Sequence, residues 1–229
     1  MILSTNQPYF APYPGFFQKM LRSDIMVILD DVQFPRGTTW ITRNRIKNDQ
    51  GCLWMTIPVW KKGLGFQKIS EVRICHEGRW QSKHLGSIRS AYRNAPYLQN
   101  HDSWLQSFFS RETEKIVPLD LEIIRYLKDY LEIDTQLVLM SELGITGSGE
   151  SLLVDVCGRL GASAYLLPTS AKKYLNQDSF ERAGIQTLYF RPVSKVYPQL
   201  WGDFLPDLST LDIIFNCGTK ARDLVRCEF

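Results

Sequence analysis

Short apolar runs bounded by polar clusters dominate the chain, and their lengths predict strands alternating with helices. Residues 2–5 read as a strand, followed by a loop dense in proline and aromatics from Gln7 to Gly15. Residues 16–22 read as a helix, with Phe16, Phe17, Met20 and Leu21 at helical spacing. Residues 25–29 are continuously apolar and end in Asp30-Asp31, the pattern of a strand covered on both faces, as in a parallel sheet. Strand, loop, helix and strand within about thirty residues make one βαβ unit.

The pattern then changes. Residues 44–47, a turn at 48–51 and residues 52–59 read as a β-hairpin, and residues 68–75 as a further strand. Residues 79–131 are helical in pattern, and Ile123, Leu127, Tyr130 and Leu131 line one face near the end. A strand at 136–140, a helix at 152–160 and a strand at 164–167 follow. A short helix at 179–183 is closed by Gly184, and residues 185–189 form the last strand. Leu208, Leu211 and Phe215 mark a C-terminal amphipathic helix. The expectation is one layered α/β domain over residues 1–229, its mostly parallel sheet opened by the βαβ unit, with an inserted hairpin and helical segment.

Composition narrows the class. At 229 residues a chain buries roughly 70–75% of its unfolded surface and needs no disulfide or metal staple. A net charge of +3 with scattered basic residues argues against nucleic acid as a partner. No apolar run approaches the roughly 18 residues of a membrane span, so no membrane insertion is expected. The start of the chain has neither a basic region nor a long apolar run, so no targeting signal is read there. The five cysteines (Cys52, Cys75, Cys157, Cys217, Cys227) are odd in number and never form CxxC, which predicts reduced thiols and a cytoplasmic setting. His76, His84 and His101 lack ligand spacing, and no metal site is expected.

Three polar segments follow or flank predicted strands, where α/β proteins keep their ligands. Gln7 and Tyr9 sit in the loop after the first strand, where Gly15 permits close backbone approach to a ligand or partner segment. Asp30 and Asp31, with Gln33, end the second strand; one carboxylate can enter a site as a base while its neighbour faces away. Arg43, Arg45 and Lys47 share one face of a strand by its period of two, around Asn44, and three cations there fit a phosphate or carboxylate clamp. Each segment also has a plain structural reading: a rigid connection, a turn-forming pair and a solvated hairpin edge. Cys217 is the candidate nucleophile, although a helix C-terminus disfavours its thiolate, and His84 is the reserve acid or base.

Taken together, Gln7-Pro8 with Gly15-Phe16-Phe17 and Lys19, the run Ile28-Leu29-Asp30-Asp31-Val32-Gln33-Phe34, and Arg43-Asn44-Arg45-Ile46-Lys47 resemble the WbqC-like family of bacterial proteins. Trp80 with Lys83-His84, Tyr92 with Ala95-Pro96-Tyr97, Tyr197-Pro198-Gln199-Leu200 and Phe215-Asn216-Cys217-Gly218 extend the resemblance nearly end to end. It implies an enzyme of surface-polysaccharide or amino-sugar biosynthesis that transfers an acyl or aminoacyl group to a sugar or similar amine. An acyl thioester, of coenzyme A or of an acyl carrier protein, would be the co-substrate, and no resident cofactor is implied. Lys173, Tyr197 and Asn216 join Gln7, Tyr9 and the basic segment as implied substrate-binding residues. Asn6 stands where the family usually has histidine, and residues 167–174 depart from the family's Gly-rich stretch. Nucleotidyl transfer or nucleotide-sugar binding is the alternative, since a strand, a Pro/Gly loop, a helix and an acid-ended strand also open nucleotidylyltransferase domains. Those use a paired-histidine loop, and this chain has no histidine before His76. A non-catalytic scaffold is the third reading.

Overall fold

A computed structural model describes residues 1–173 and 175–226, so Tyr174 and Cys227 lie outside the described residues. The chain runs β1 (Ile2–Asn6), α1 (Pro14–Met20) and β2 (Ile25–Ile28), then a hairpin of β3 (Arg43–Asn48) and β4 (Gly51–Thr56). Three helices follow: α2 (Trp80–Ala91), α3 (Gln99–Ser110) and α4 (Ile116–Tyr130). The second half is β5 (Gln136–Leu139), α5 (Gly149–Leu160), β6 (Ala164–Pro168), α6 (Gln177–Arg182), β7 (Gln186–Phe190), α7 (Thr210–Cys217) and α8 (Ala221–Arg226).

Five strands form one sheet in the order β5-β2-β1-β6-β7, and every pairing in it is parallel. The α/β class and the parallel sheet are those that the alternating pattern predicts. Strand order reverses direction between β1 and β6, which defines a topological switch point. Thr5 and Tyr165 bridge these two strands by a hydroxyl contact of 2.6 Å.

Two apolar cores pack against opposite faces of the sheet, and β2 shows why its run is continuous. Met26 and Ile28 enter one core while Ile25 and Val27 enter the other, as a period of two requires. The smaller core also holds Leu152, Val156 and Cys157 of α5 with Phe180 of α6. The larger core holds Phe16, Phe17 and Met20 of α1, the inward residues of the hairpin and much of α2, α3, α4 and α7.

The structure departs from the sequence pattern at several boundaries. Residues 68–75 are not a strand: a 3-10 turn spans Ile69–Glu71, where Lys68 N–H donates to the Glu71 carboxylate at 3.0 Å. Only isolated bridges, Gln33 with Lys68, Val59 with Ile74 and Arg73 with Lys115, keep an extended character there. The helical stretch of 79–131 divides into three helices, and α1 begins at Pro14, whose fixed φ and missing N–H suit a first turn.

Gly15 is required by a close approach. A Cβ at this position would lie 2.7 Å from the Cβ of Pro192, which follows β7. Gly15→Ala is therefore expected to lower unfolding free energy by about 1–3 kcal/mol through overpacking. Urea unfolding measures it, and a midpoint equal to wild type would contradict the steric reading.

Candidate functional site

A cavity of about 690 Å³ lies beyond the carboxyl edge of the sheet. Gln7 reaches it from the end of β1, and Leu29, Asp31 and Gln33 from the end of β2. Gly147, Ser148 and Gly149 at the start of α5 line another side, and Leu175 comes from the segment after β6. Phe66, Gln67 and Lys68, from the connection between the hairpin and the 3-10 turn, complete the rim.

The two adjacent aspartates have different surroundings. Asp30 is buried, and its carboxylate accepts from the Ser141 backbone N–H at 3.0 Å and the Ser141 hydroxyl at 2.6 Å. Its carbonyl accepts from Ser70 N–H at 2.7 Å. Asp31 is half-buried, lines the cavity, and accepts from Lys68 Nζ at 2.8 Å and the Ser70 hydroxyl at 3.4 Å. The hydrogen bond to Asp31 raises the pKa of the Lys68 ammonium above its ordinary value. One carboxylate therefore ties β2 to the segment after β5, and its neighbour presents an ion pair to the cavity.

The basic segment is elsewhere and is satisfied by the protein itself. Arg43 stacks its guanidinium 3.6 Å from the Trp54 ring centroid. Asn44 is buried and donates to the carbonyls of Phe10 and Ala11 at 3.0 and 2.8 Å. Arg45 donates to the carbonyls of Pro206 and Asp207 at 3.1 and 3.3 Å. Lys47 is buried and donates to Gln199 Oε1 at 3.2 Å and to the carbonyls of Gly202 and Asp203. No common clamp forms, because each polar head is taken up by a different protein group. Asn44, Arg45 and Lys47 instead fasten the hairpin to the first loop and to the chain that precedes α7.

The remaining candidates are scattered. Tyr9 and Arg45 line a separate groove of about 330 Å³ with Tyr13 and Trp40. Tyr197, Asn216 and Cys217 line another, of about 550 Å³. Tyr197 donates its hydroxyl to the buried Asp212 carboxylate at 2.8 Å, which Tyr92 caps from the other side at 2.7 Å. Asn216 donates to the Asp212 carbonyl at 2.8 Å. Burial, with the nearby Asp212 charge, pushes the Cys217 thiol up to about 11, so it is a neutral thiol at pH 7. His84 is held at 3.0 Å to the Thr56 carbonyl among Trp80, Phe109 and Phe10, and burial lowers its pKa. Lys173 is exposed in the 3-10 turn Thr169–Lys173. Among the candidate residues, Gln7, Asp31 and Gln33 share the strand-end cavity.

The sequence reading missed three features here. Lys68 lay in a presumed strand, and the start of α5 was placed three residues late, which hid the Gly147-Ser148-Gly149 turn; glycines flanking a serine before a helix are the signal that marks it. The third is Lys19, buried in α1 with its ammonium 2.5 Å from the Thr5 carbonyl and 3.4 Å from Asn6 Oδ1. A lysine three residues after Phe16 on an otherwise apolar helix face is its only sequence signal. Desolvation lowers its pKa from 10.5 to about 8.

Cys52, Cys75, Cys157 and Cys217 are free thiols. Among the described residues, no group of His, Cys, Asp and Glu is arranged to hold a metal ion, and no helix is long and apolar enough to cross a membrane.

The chain matches the model of the WbqC-like protein family over residues 7–224. It is 30% identical over 223 residues to Rv1507c of Mycobacterium tuberculosis, described as an uncharacterized protein, covering 96% of this chain and 95% of that one. No solved structure matches.

Lys19 generates an expectation in pH. Between about pH 8 and 10.5 the unfolded chain keeps a proton on this lysine that the folded chain has released. Stability from this group therefore rises with pH across that window, by on the order of 3 kcal/mol in full, and is flat below it. Denaturant unfolding of wild type and Lys19→Met as a function of pH isolates this lysine's contribution. Wild type should gain stability relative to Lys19→Met as pH rises from about 8 to 10.5, and parallel curves would contradict it.

Proposed function

The chain belongs to the WbqC-like protein family, and we propose that it is a cytoplasmic transferase joining an activated acyl or aminoacyl group to a small amine, such as an amino sugar used for surface polysaccharide. The observation that carries this reading is the Asp31–Lys68 pair at 2.8 Å in the strand-end cavity, beside the Gln7 amide. A carboxylate in a cavity of this size has room for both an amine and a thioester carbonyl.

In this reaction the amine nitrogen attacks the carbonyl carbon of the thioester and a C–N bond forms. Asp31 takes the proton that the nitrogen sheds. Lys68 supplies positive charge for the oxyanion of the tetrahedral intermediate. The C–S bond then breaks, and the departing sulfur takes the proton from Asp31, so that an amide and a thiol leave. Gln7 orients the acceptor by hydrogen bonding. Asp30 holds the loop and moves no proton. Cys217, His84 and the basic hairpin residues have no part in the step, since none of them lines this cavity.

A second reading draws on the start of α5. Ser148 and its two flanking glycines line the same cavity, and a helix N-terminus favours a phosphate. That arrangement suits a nucleotide or nucleotide-sugar. A thermal-shift panel separates the readings. Acetyl-coenzyme A at a hundredfold over its dissociation constant should add about 2.7 kcal/mol of stability. With an amino-sugar acceptor, Asp31→Asn should lower turnover on the order of 10²–10⁴-fold without moving the melting temperature of the free protein. Stabilisation by nucleoside triphosphates alone would favour the second reading, and a response to neither would point to a non-catalytic scaffold.

A further inference from the structure

Residues 60–68 read Trp-Lys-Lys-Gly-Leu-Gly-Phe-Gln-Lys and form a loop that the fold holds at its base and leaves bare at its tip. Trp60 N–H donates to the Arg73 carbonyl at 3.0 Å, and Phe34 N–H to the Gln67 carbonyl at 2.8 Å, which fixes the two ends. Between them Leu64 is 50% and Phe66 67% exposed, and Trp60 beside them is 46% exposed. Gly63 and Gly65 take positive φ, and a Cβ on either would meet nothing within 4 Å. The tip therefore stands in solvent with three large apolar side chains within seven residues.

Its charge is one-sided. Residues 60–68 carry Lys61, Lys62 and Lys68 and no acid, and Lys68 is paired with Asp31. Arg36 lies over the Phe66 ring at 4.1 Å, and Lys61 over Phe34 at 4.7 Å. Neither Lys61 nor Lys62 has a carboxylate partner among the described residues. Apolar tips ringed by unpaired cations match an anionic bilayer surface. Leu64 and Phe66 leave water at the headgroup–acyl boundary, Trp60 suits the headgroup level, and the cations meet lipid charge.

From this combination we infer that residues 60–66, with Arg36, are a docking loop for an anionic lipid bilayer, held at its surface without a span. Two alternatives fit less well. A single-stranded nucleic acid stacks on aromatic faces, and Leu64, central to the tip, offers none. A protein partner would need about 20–30 residues on each side of a standard interface, and this tip is far narrower. The same stretch ends in the rim of the strand-end cavity, so docking brings the cavity mouth to the headgroup layer. This inference does not depend on the acyl-transfer reading.

Cosedimentation of the full chain with vesicles tests it. The chain should pellet with phosphatidylcholine vesicles containing about a third phosphatidylglycerol, less so at high salt, and hardly with phosphatidylcholine alone. Lys61→Gln and Lys62→Gln should each weaken partitioning about fivefold. Leu64→Ser and Phe66→Ser should weaken it on the order of tenfold, with unchanged melting temperatures. Arg125→Gln, an exposed cation on α4, should have little effect. Absence of vesicle binding, or binding that survives the Leu64 and Phe66 changes, would overturn the inference. So would capture of a single-stranded oligonucleotide or an acidic protein in place of vesicles.

Discussion

The carboxylate of Asp30 accepts two hydrogen bonds from one residue, Ser141, across the ends of two neighbouring strands. Much of the cavity's shape depends on this contact. β2 ends at Ile28, and a buried acid two residues on would be costly without partners. Ser141 satisfies it, and Ser70 N–H caps its carbonyl, so three chain segments meet at one residue. With Asp30 fixed, Asp31 is left at the cavity wall, within reach of Lys68. The segment that follows Ser141 runs on to Gly147 and the start of α5, on another wall of the cavity.

The other polar signatures are largely consumed in holding the architecture. Arg45 and Lys47 of the hairpin reach carbonyls more than a hundred and fifty positions away, at 202–207. Asp212 binds the hydroxyls of Tyr92 and Tyr197, and the backbone N–H of Lys47 reaches the same Tyr92 hydroxyl at 3.3 Å. A buried network that joins helices to a hairpin rigidifies a fold, and it explains conspicuous polar motifs without assigning them chemistry. At the sheet edge, Gln7, Asp31 and Lys68 face the cavity.

The fold was legible where a single physical rule decides. The apolar run of β2 means burial on two faces, and the structure gives it two cores. The hairpin was legible from its turn, with β3 and β4 pairing from Arg43–Thr56 to Asn48–Gly51. Residues 68–75 were not, because apolar Ile69, Val72 and Ile74 suggest a strand while the Glu71 contact to Lys68 N–H closes a turn. For the site, Gln7 and Asp31 could be read from their places after apolar strands. The fates of Arg45 and Lys47 could not, since their partners come from residues 199–207, more than a hundred and fifty positions away. Lys19 stands on an apolar helix face in the sequence, but its contact with the Thr5 carbonyl comes from β1 and has no local mark.

The role given to Asp30 is measured most directly by a double-mutant cycle on unfolding free energy, with Asp30→Ala, Ser141→Ala and the combined variant. The Ser141 hydroxyl contact of 2.6 Å should appear as a coupling above about 1 kcal/mol, because either single change strands its partner. If the two changes add within about 0.5 kcal/mol, Asp30 is not the tie between β2 and the segment after β5, and the placement of Asp31 needs another cause.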